Sequence, residues 1–259
     1  MESFMLARLG RLCRNAVLVT ATACVLVSPA RAFTDAEKTE IGTIVREYLL
    51  KHPEVLEEVV SVLEARNQAA QAEQASKAVK ELRSVLVDGQ RGVVVANPKG
   101  DVTLVEFFDY NCGYCKRALA DLQELVKADP NLRVVLREFP VLGQGSVEAA
   151  QVAVAVRMVA PEKYMAFHQA LMGMRGQADR AKAFAAAKQA GIDVAALEKQ
   201  ASSPELNATL DESMKLAQAL GQSGTPFYVI GEQVVMGAQG LDVLKAAVAD
   251  ARKQAKAGK

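Results

Sequence analysis

Cysteine and histidine are scarce in this sequence, which limits the metal sites and disulfides it can form. The 259 residues include four cysteines and two histidines, and beyond residue 32 only Cys112, Cys115, His52 and His168 remain. A structural zinc site takes four closely placed ligands of these types. His168 has no companion at ligand spacing, so we predict no metal site of this kind within one chain. Transient copper binding by the two thiolates stays open.

An excess of charge of one sign is also lacking. The chain has 31 basic and 30 acidic residues, and removing residues 1–32 leaves 27 and 29. This balance gives no reason to expect nucleic acid or an anionic membrane as a partner. No phosphate-binding or dinucleotide-binding glycine motif is present. The sequence therefore predicts no nucleic acid among the partners and no nucleotide cofactor.

Long apolar runs are missing too, and the one run near the N-terminus has the form of a secretory signal. Three arginines precede the apolar residues 16–27, and Ala30 to Ala32 offer small residues where a signal peptidase cuts. The run is too short to span a bilayer. We therefore predict that residues 1–32 are a cleaved signal peptide and that the mature protein lies in the bacterial periplasm, an oxidising compartment. Lipidation at Cys24 is the alternative.

Residues 33–64 are predicted to form two short helices, each with an apolar stripe. Thr34 followed by Glu37 is a capping-box signature, and Pro53 suits the first position of the second helix. The stripes consist of Ile41, Ile44, Val45 and Tyr48, then Val55, Leu56, Val59, Val60 and Leu63. So small a unit has too little core to be stable alone. We predict that it self-associates into a homo-oligomer, and docking on the chain's own larger domain is the alternative.

The remainder is predicted to be a helical neck or linker over residues 65–92 and an α/β domain over residues 93–259. Residues 65–80 favour helix but have little apolar surface, so they are expected to be exposed. A strand, a helix and a second strand then form a βαβ unit with parallel strands: 102–108, 112–128 and 132–139. A helical insertion at about 141–224, a hairpin and a last helix complete the domain.

Cys112 and Cys115 lie three residues apart, where a strand ends and a helix begins. A bridge that closes so short a loop removes only about 2 kcal/mol of unfolded-state entropy, so a purely structural role is disfavoured. At a helix N-terminus, unpaired N–H groups and the helix dipole stabilise a thiolate. Cys115 follows one turn later, within bridging reach. We predict a redox-active disulfide without a cofactor, with Cys112 as the exposed nucleophile and Cys115 as the shielded partner.

Three features together resemble the DsbA family of thioredoxin-fold disulfide oxidoreductases. They are the strand Leu104 to Phe108, the Cys-Gly-Tyr-Cys sequence that follows it, and Gly224-Thr225-Pro226 far downstream. The resemblance implies a thioredoxin fold with a helical insertion, here preceded by an α-helical extension. It also implies a cis peptide bond before Pro226, which faces the cysteines, and client-binding contacts from Thr225, Gly113 and Tyr114.

Glu106 alternates in phase with Leu104 and Phe108, so its carboxylate is predicted to face an apolar layer beneath the cysteine helix. Burial there would raise the pKa of Glu106 and let it accept or supply the proton of Cys115. DsbA-like proteins carry an acidic residue at the matching position. The alternative is an ordinary strand residue that faces solvent.

The segments Thr34 to Glu37 and Val45 to Leu56 resemble the N-terminal segment of ScsC, the copper-sensitivity suppressor C proteins. Those proteins are periplasmic and DsbA-like, and some are trimers assembled through this segment. The resemblance implies an oligomeric disulfide isomerase or reductase that acts on disulfide-containing client proteins. A membrane electron donor of the DsbD or ScsB type would keep it reduced. The alternatives are a monomeric DsbA-type oxidase and a periplasmic Cu(I) carrier.

Overall fold

The computed structural model describes residues 32–88 and 90–257, so the predicted signal peptide lies outside the described residues apart from its last residue. The first helix, α1, spans Asp35–Lys51. Its capping box is confirmed, because the Thr34 N–H donates to Glu37 Oε2 at 2.7 Å and the Glu37 N–H donates to Thr34 Oγ1 at 3.3 Å. The helix ends at Lys51, with His52 as its C-cap.

The second helix, α2, spans Glu54–Glu81 and begins directly after Pro53. It is one continuous helix, so the predicted second helix and most of the predicted neck are a single element. The chain divides into two compact units with the boundary after Val62. Neither predicted stripe is buried: α1 has no buried residue, and the large exposed apolar side chains include Ile41, Ile44, Val45, Tyr48, Leu56, Val59, Val60 and Leu63.

The end of the neck differs from the sequence prediction. Residues 65–74 are exposed as expected, but Val79 is 2% exposed and Leu86, on the short helix α3 (Arg83–Asp88), is also buried. Both pack in a cluster with Phe107 and other apolar residues of the larger unit. The completely buried Arg137 side chain donates to the carbonyl oxygen of Val85, so it holds the last turn of α3 in place. This part of the neck is therefore part of the larger unit's core.

The larger unit contains a five-stranded sheet with the order β1-β3-β2-β4-β5. Its strands are β1 (Val93–Val94), β2 (Val102–Phe108), β3 (Leu132–Glu138), β4 (Phe227–Ile230) and β5 (Gln233–Met236). The pair β2 and β3 is parallel, while β4 runs antiparallel to β2 and to β5. This arrangement confirms the predicted βαβ unit and the hairpin. The two-residue strand β1, antiparallel to β3, was not predicted.

Helices connect the strands of the βαβ unit, follow the hairpin and fill the predicted insertion. Between β2 and β3 lies α4 (Gly113–Ala128), and after the hairpin comes α10 (Leu241–Ala257). The insertion contains α5 (Gln144–Val159), α6 (Tyr164–Gly173), α7 (Arg180–Gln189), α8 (Val194–Glu198) and α9 (Pro204–Ala219). Across the described ranges, no helix combines the length and the apolar character that crossing a membrane requires.

Candidate active site

Cys112 is the N-cap of α4, directly after the turn that leaves β2. Its sulfur accepts a hydrogen bond from the Cys115 N–H at 3.4 Å, and its thiol donates to the carbonyl oxygen of Thr225 at 3.3 Å. Both cysteines are free thiols. The sulfur therefore lies at the positive end of a 16-residue helix, where a thiolate is stabilised by the dipole and by backbone N–H groups.

The prediction that Cys112 is exposed needs correction. Cys112 is 5% exposed and Cys115 is 1% exposed, so both are buried and Cys112 is only slightly the more accessible. The reason is the contact with Thr225, whose carbonyl oxygen lies 3.3 Å from the Cys112 sulfur. Next to Cys112, Gly113 and Tyr114 are exposed, and the Arg117 guanidinium lies over the Tyr114 ring at 4.5 Å. Both residues are therefore accessible from solvent beside the buried Cys112.

The peptide bond between Thr225 and Pro226 is cis, as the resemblance implied. Pro226 directly precedes β4, and its carbonyl oxygen accepts a hydrogen bond from the Gly237 N–H at 2.8 Å. Since Thr225 contacts the Cys112 sulfur, the loop with the cis bond and the start of α4 lie side by side. The structure thus brings Cys112, Cys115 and Thr225-Pro226 together from sequence positions more than a hundred residues apart.

Glu106 is 3% exposed and faces the core, so the prediction of an inward-facing carboxylate is confirmed over its solvent-facing alternative. Its cross-strand partner on β4 is Tyr228. Burial raises the pKa of Glu106 to about 8, although the nearby Tyr228 hydroxyl opposes part of that rise without reaching full hydrogen-bond geometry. Burial also raises the pKa of the Cys115 thiol well above its usual range, and the charges of Cys112 and Glu106 add to the effect. Cys115 is therefore a thiol at neutral pH and needs a base to react.

Asp109 and Asn111 fix the loop in front of Cys112, and neither residue was predicted to have a role. The Asp109 carboxylate accepts from the Asn111 N–H and the Ser146 hydroxyl, both at 2.7 Å, and from the N–H groups of Val141 and Leu142 at 2.8 and 3.0 Å. The Asn111 amide donates to the Ser146 hydroxyl at 2.9 Å. An Asp that caps the N–H two residues later is a recognised turn pattern, and this was the available signal.

A second buried polar network lies next to the start of this loop. Glu138 accepts hydrogen bonds from the hydroxyls of Tyr164 and Tyr110 at 2.5 and 3.3 Å, and Tyr110 also contacts Nδ1 of His168 at 3.3 Å. Burial raises the pKa of Glu138 to about 8, and burial lowers the pKa of His168 to about 3. His168 is thus a neutral core residue packed edge-on against Phe108. Its role here is structural.

The two buried glutamates make the stability of the fold depend on pH. Both carboxyls bind their proton more tightly when folded, with pKa values of about 8 against an ordinary 4.5. Their contribution to the free energy of unfolding is therefore complete below pH 4.5. It is lost as the pH rises through 8, at up to about 1.4 kcal/mol per pH unit for each group. Urea unfolding of the reduced protein should show stability falling between pH 6.5 and 8. Below pH 6.5, protonation of His168 in the unfolded chain acts in the opposite direction.

Glu138→Gln should flatten this decline by removing one of the two titrations, and Glu106→Gln should do the same. The exposed Glu124→Gln serves as the matched control and should leave the slope as in the wild type. An unchanged slope in both buried variants would contradict the assignment of raised pKa values to these two groups.

A metal centre receives no support from the side-chain geometry. Within residues 32–88 and 90–257, no group of three or more histidine, cysteine, aspartate or glutamate residues is arranged to hold a metal ion. The two histidines are far from such a role, because His52 contacts Glu54 at 3.0 Å and His168 is enclosed in the core.

Comparison with known proteins agrees with this geometry. The DSBA-like thioredoxin domain matches residues 103–249, more than half of the chain, and the copper resistance protein ScsC N-terminal domain matches residues 37–70. A thioredoxin-like oxidoreductase from Silicibacter pomeroyi DSS-3 is 47% identical, with a TM-score of 0.63 over 66% of this chain and 98% of that chain. A linker-deletion mutant of Proteus mirabilis ScsC is 28% identical, with a TM-score of 0.66 over 87% and 99%.

A curated relative of a different kind is also similar in sequence. It is the Na(+)/H(+) antiporter NhaA 1 of Salinispora arenicola, 26% identical over 169 residues. The match covers 64% of this chain, and the chain spans about a quarter of the length of that antiporter, with 26% covered. The family matches and the solved structures, by contrast, support thiol-disulfide oxidoreductase chemistry and the predicted thioredoxin fold. The chain therefore belongs to the DSBA-like thioredoxin domain family, and it joins that domain to an N-terminal segment of the ScsC type.

Proposed function

We propose that this protein is a periplasmic thiol-disulfide oxidoreductase that works as a disulfide isomerase or reductase on client proteins. The observation that carries the proposal is the position of Cys112, at the N-terminus of α4 and in contact with the loop that contains cis-Pro226. A sulfur so placed is activated by the helix and lies beside backbone groups that can bind an extended client segment.

The reaction begins with Cys112 as its thiolate. The thiolate attacks one sulfur of a client disulfide, a Cys112–client disulfide forms, and the other client sulfur leaves as a thiolate. In isomerisation, that released thiolate attacks elsewhere in the client and finally displaces Cys112, with no net oxidation. In reduction, Cys115 displaces the client instead and the Cys112–Cys115 disulfide forms. The reductase route needs a thiol reductant to reset the pair, and we assign that task to a membrane partner of the DsbD or ScsB type.

The exposed stripes of α1 and α2 support an oligomer. Side chains such as Ile44 and Leu56 remain more than half exposed within one chain, at 60% and 52%. Contiguous exposed apolar surface of this kind marks an association site, and copies of the same segment are the partners that match its stripe. We propose a homo-oligomer assembled through residues 33–64, with the trimer of ScsC-type relatives as its form. Several active sites would then surround one misfolded client.

Refolding of a scrambled multi-disulfide substrate tests the proposed function. The reduced wild-type protein should restore the native substrate, and Cys112→Ser should restore it at the uncatalysed rate because no mixed disulfide can form. The redox state of the Cys112–Cys115 pair in the periplasm distinguishes an isomerase from a DsbA-type oxidase. An isomerase is kept as a dithiol, and an oxidase carries the disulfide. Activity that survives in Cys112→Ser would overturn the proposal.

The match to a copper resistance domain favours one second candidate, a Cu(I) carrier that uses the Cys112 and Cys115 thiolates as ligands. Titration of the reduced protein with Cu(I) in the presence of a competing chelator measures this directly. Tight binding of one ion per chain, without any catalysis on the scrambled substrate, would favour the carrier over the isomerase.

A further inference from the structure

Tyr228 has a buried hydroxyl that finds no hydrogen-bond partner among the described residues. The side chain is 1% exposed, so bulk solvent does not reach the hydroxyl. A buried polar group without a partner destabilises the fold, and phenylalanine would fill the same space without that penalty. The hydroxyl is therefore best explained by a partner that it gains at some step of the reaction.

The candidate partner is Glu106. In the antiparallel ladder between β2 and β4, Glu106 and Tyr228 are directly opposite each other. Residues paired in this way project from the same face of the sheet with their Cβ atoms about 4.5 to 5.5 Å apart. Cys115 on α4 is buried in the same core cluster as Tyr228, so the hydroxyl, the carboxyl and the second thiol share one enclosed region.

The surroundings of this region are almost entirely apolar. The strand β3 places Leu136 beside Glu106, and the buried face of α10 contributes Leu244, Ala247, Val248 and Ala251. Cys115 and Asp121 lie on α4 and Cys112 is its N-cap, and the charge of Asp121 acts on Tyr228. Among these side chains, the Tyr228 hydroxyl is thus the strongest hydrogen-bond donor next to Glu106.

We propose that Tyr228 is a positioning residue for the second half of the reaction: its hydroxyl donates a hydrogen bond to the ionised Glu106 carboxylate and so maintains the base that takes the proton of Cys115. This proposal rests on the proposed function, because it concerns the release of a client from Cys112. It extends that function by naming a residue that acts through Glu106 and does not touch the reacting sulfurs.

Client release begins with a proton transfer. The Cys115 proton moves to the Glu106 carboxylate, and the Cys115 sulfur attacks the Cys112 sulfur of the mixed disulfide. The bond between Cys112 and the client sulfur breaks, its electron pair leaves on the client sulfur, and the Cys112–Cys115 bond forms. A hydrogen bond to the charged form of a carboxyl favours that form, whereas burial disfavours it. Loss of the Tyr228 hydroxyl would leave burial unopposed, and a smaller fraction of Glu106 would be ionised at neutral pH.

Stopped-flow reaction of the reduced full-length protein with 5,5′-dithiobis(2-nitrobenzoate) measures the attack by Cys112 and the attack by Cys115 as two separate phases. Attack by Cys112 releases the first coloured thiolate, and attack by Cys115 on the resulting mixed disulfide releases the second. For Tyr228→Phe we expect the pH midpoint of the second phase to move up by about one unit, so that this phase slows about tenfold at pH 7. The first phase should keep its wild-type pH dependence.

Tyr164→Phe is the matched control, because it also loses one buried hydroxyl, which donates to Glu138 instead. It should leave both midpoints in place. In a Glu106→Gln background, Tyr228→Phe should have no further effect on the second phase, as expected for residues that act through one another. A second phase slowed equally at all pH values, or an unmoved midpoint, would overturn the proposal. Absence of the first phase in the wild type would overturn the proposed function itself.

Discussion

Cys115→Ser is expected to trap on Cys112 those clients whose own released thiolate does not displace it. Cys112 still attacks a client disulfide in this variant, because its place at the N-terminus of α4 and its contact with Thr225 do not depend on the Cys115 sulfur. Release by the second sulfur is lost. An intramolecular thiol one helical turn away acts at a very high effective concentration, so release should slow on the order of a thousandfold or more.

Non-reducing gel electrophoresis after acid quenching, followed by identification of the trapped peptides, measures this outcome. Mixed disulfides should accumulate with Cys115→Ser, be rare with the wild type and be absent with the double variant Cys112→Ser/Cys115→Ser. The double variant is the control for non-covalent adhesion of clients. If trapping required Cys115 and survived Cys112→Ser, the assignment of nucleophile and resolving residue would be reversed.

Placing charge on the stripe of α2 is expected to dissociate the proposed oligomer and to remove the proposed isomerase activity. Leu56 and Val60 lie one turn apart and are exposed in the single chain, at 52% and 53%. If copies of the chain cover them, Leu56→Asp/Val60→Asp loses about 1.5 to 3 kcal/mol of apolar burial at each site and also buries a carboxylate. The dissociation constant should rise by more than about a hundredfold.

Light scattering measures the mass of the assembly, and two separate assays measure isomerase activity and reductase activity. The rate at which a scrambled substrate refolds should fall when the assembly dissociates. The rate of insulin reduction should stay within about twofold of the wild-type rate, since the altered positions are remote in sequence from Cys112 and belong to the other compact unit. Glu57→Gln/Glu64→Gln, at exposed polar positions of the same helix, is the matched control. A wild type that is monomeric at micromolar concentration would refute the assembly, and full isomerase activity in the dissociated variant would refute its role.

Much of the fold could be predicted because its elements are marked locally. The Thr34 and Glu37 pair predicts the start of the first helix, and Pro53 predicts the start of the second. The apolar run that ends at Phe108 predicts a buried strand. The spacing of Cys112 and Cys115 after that strand located the reactive centre. In each case the signal lies within a few residues of the feature it predicts.

What escaped prediction depends on contacts that are distant in sequence. The strand β1 has two residues and exists because Val93 and Val94 pair with Leu136 and Val135. The burial of Val79 required the cluster around Phe107, which no local pattern in an Ala-, Gln- and Glu-rich segment indicates. Similarly, the role of Asp109 arises from Val141, Leu142 and Ser146, more than thirty residues further on.

The carbonyl oxygen of Thr225 responds to the protonation of Cys112. While Cys112 carries its proton, the thiol donates to that oxygen. Once the proton leaves, the sulfur has nothing to donate, and one acceptor position of the oxygen becomes free. Loss of one proton thus creates the nucleophile and, beside it, a free backbone acceptor in the same event.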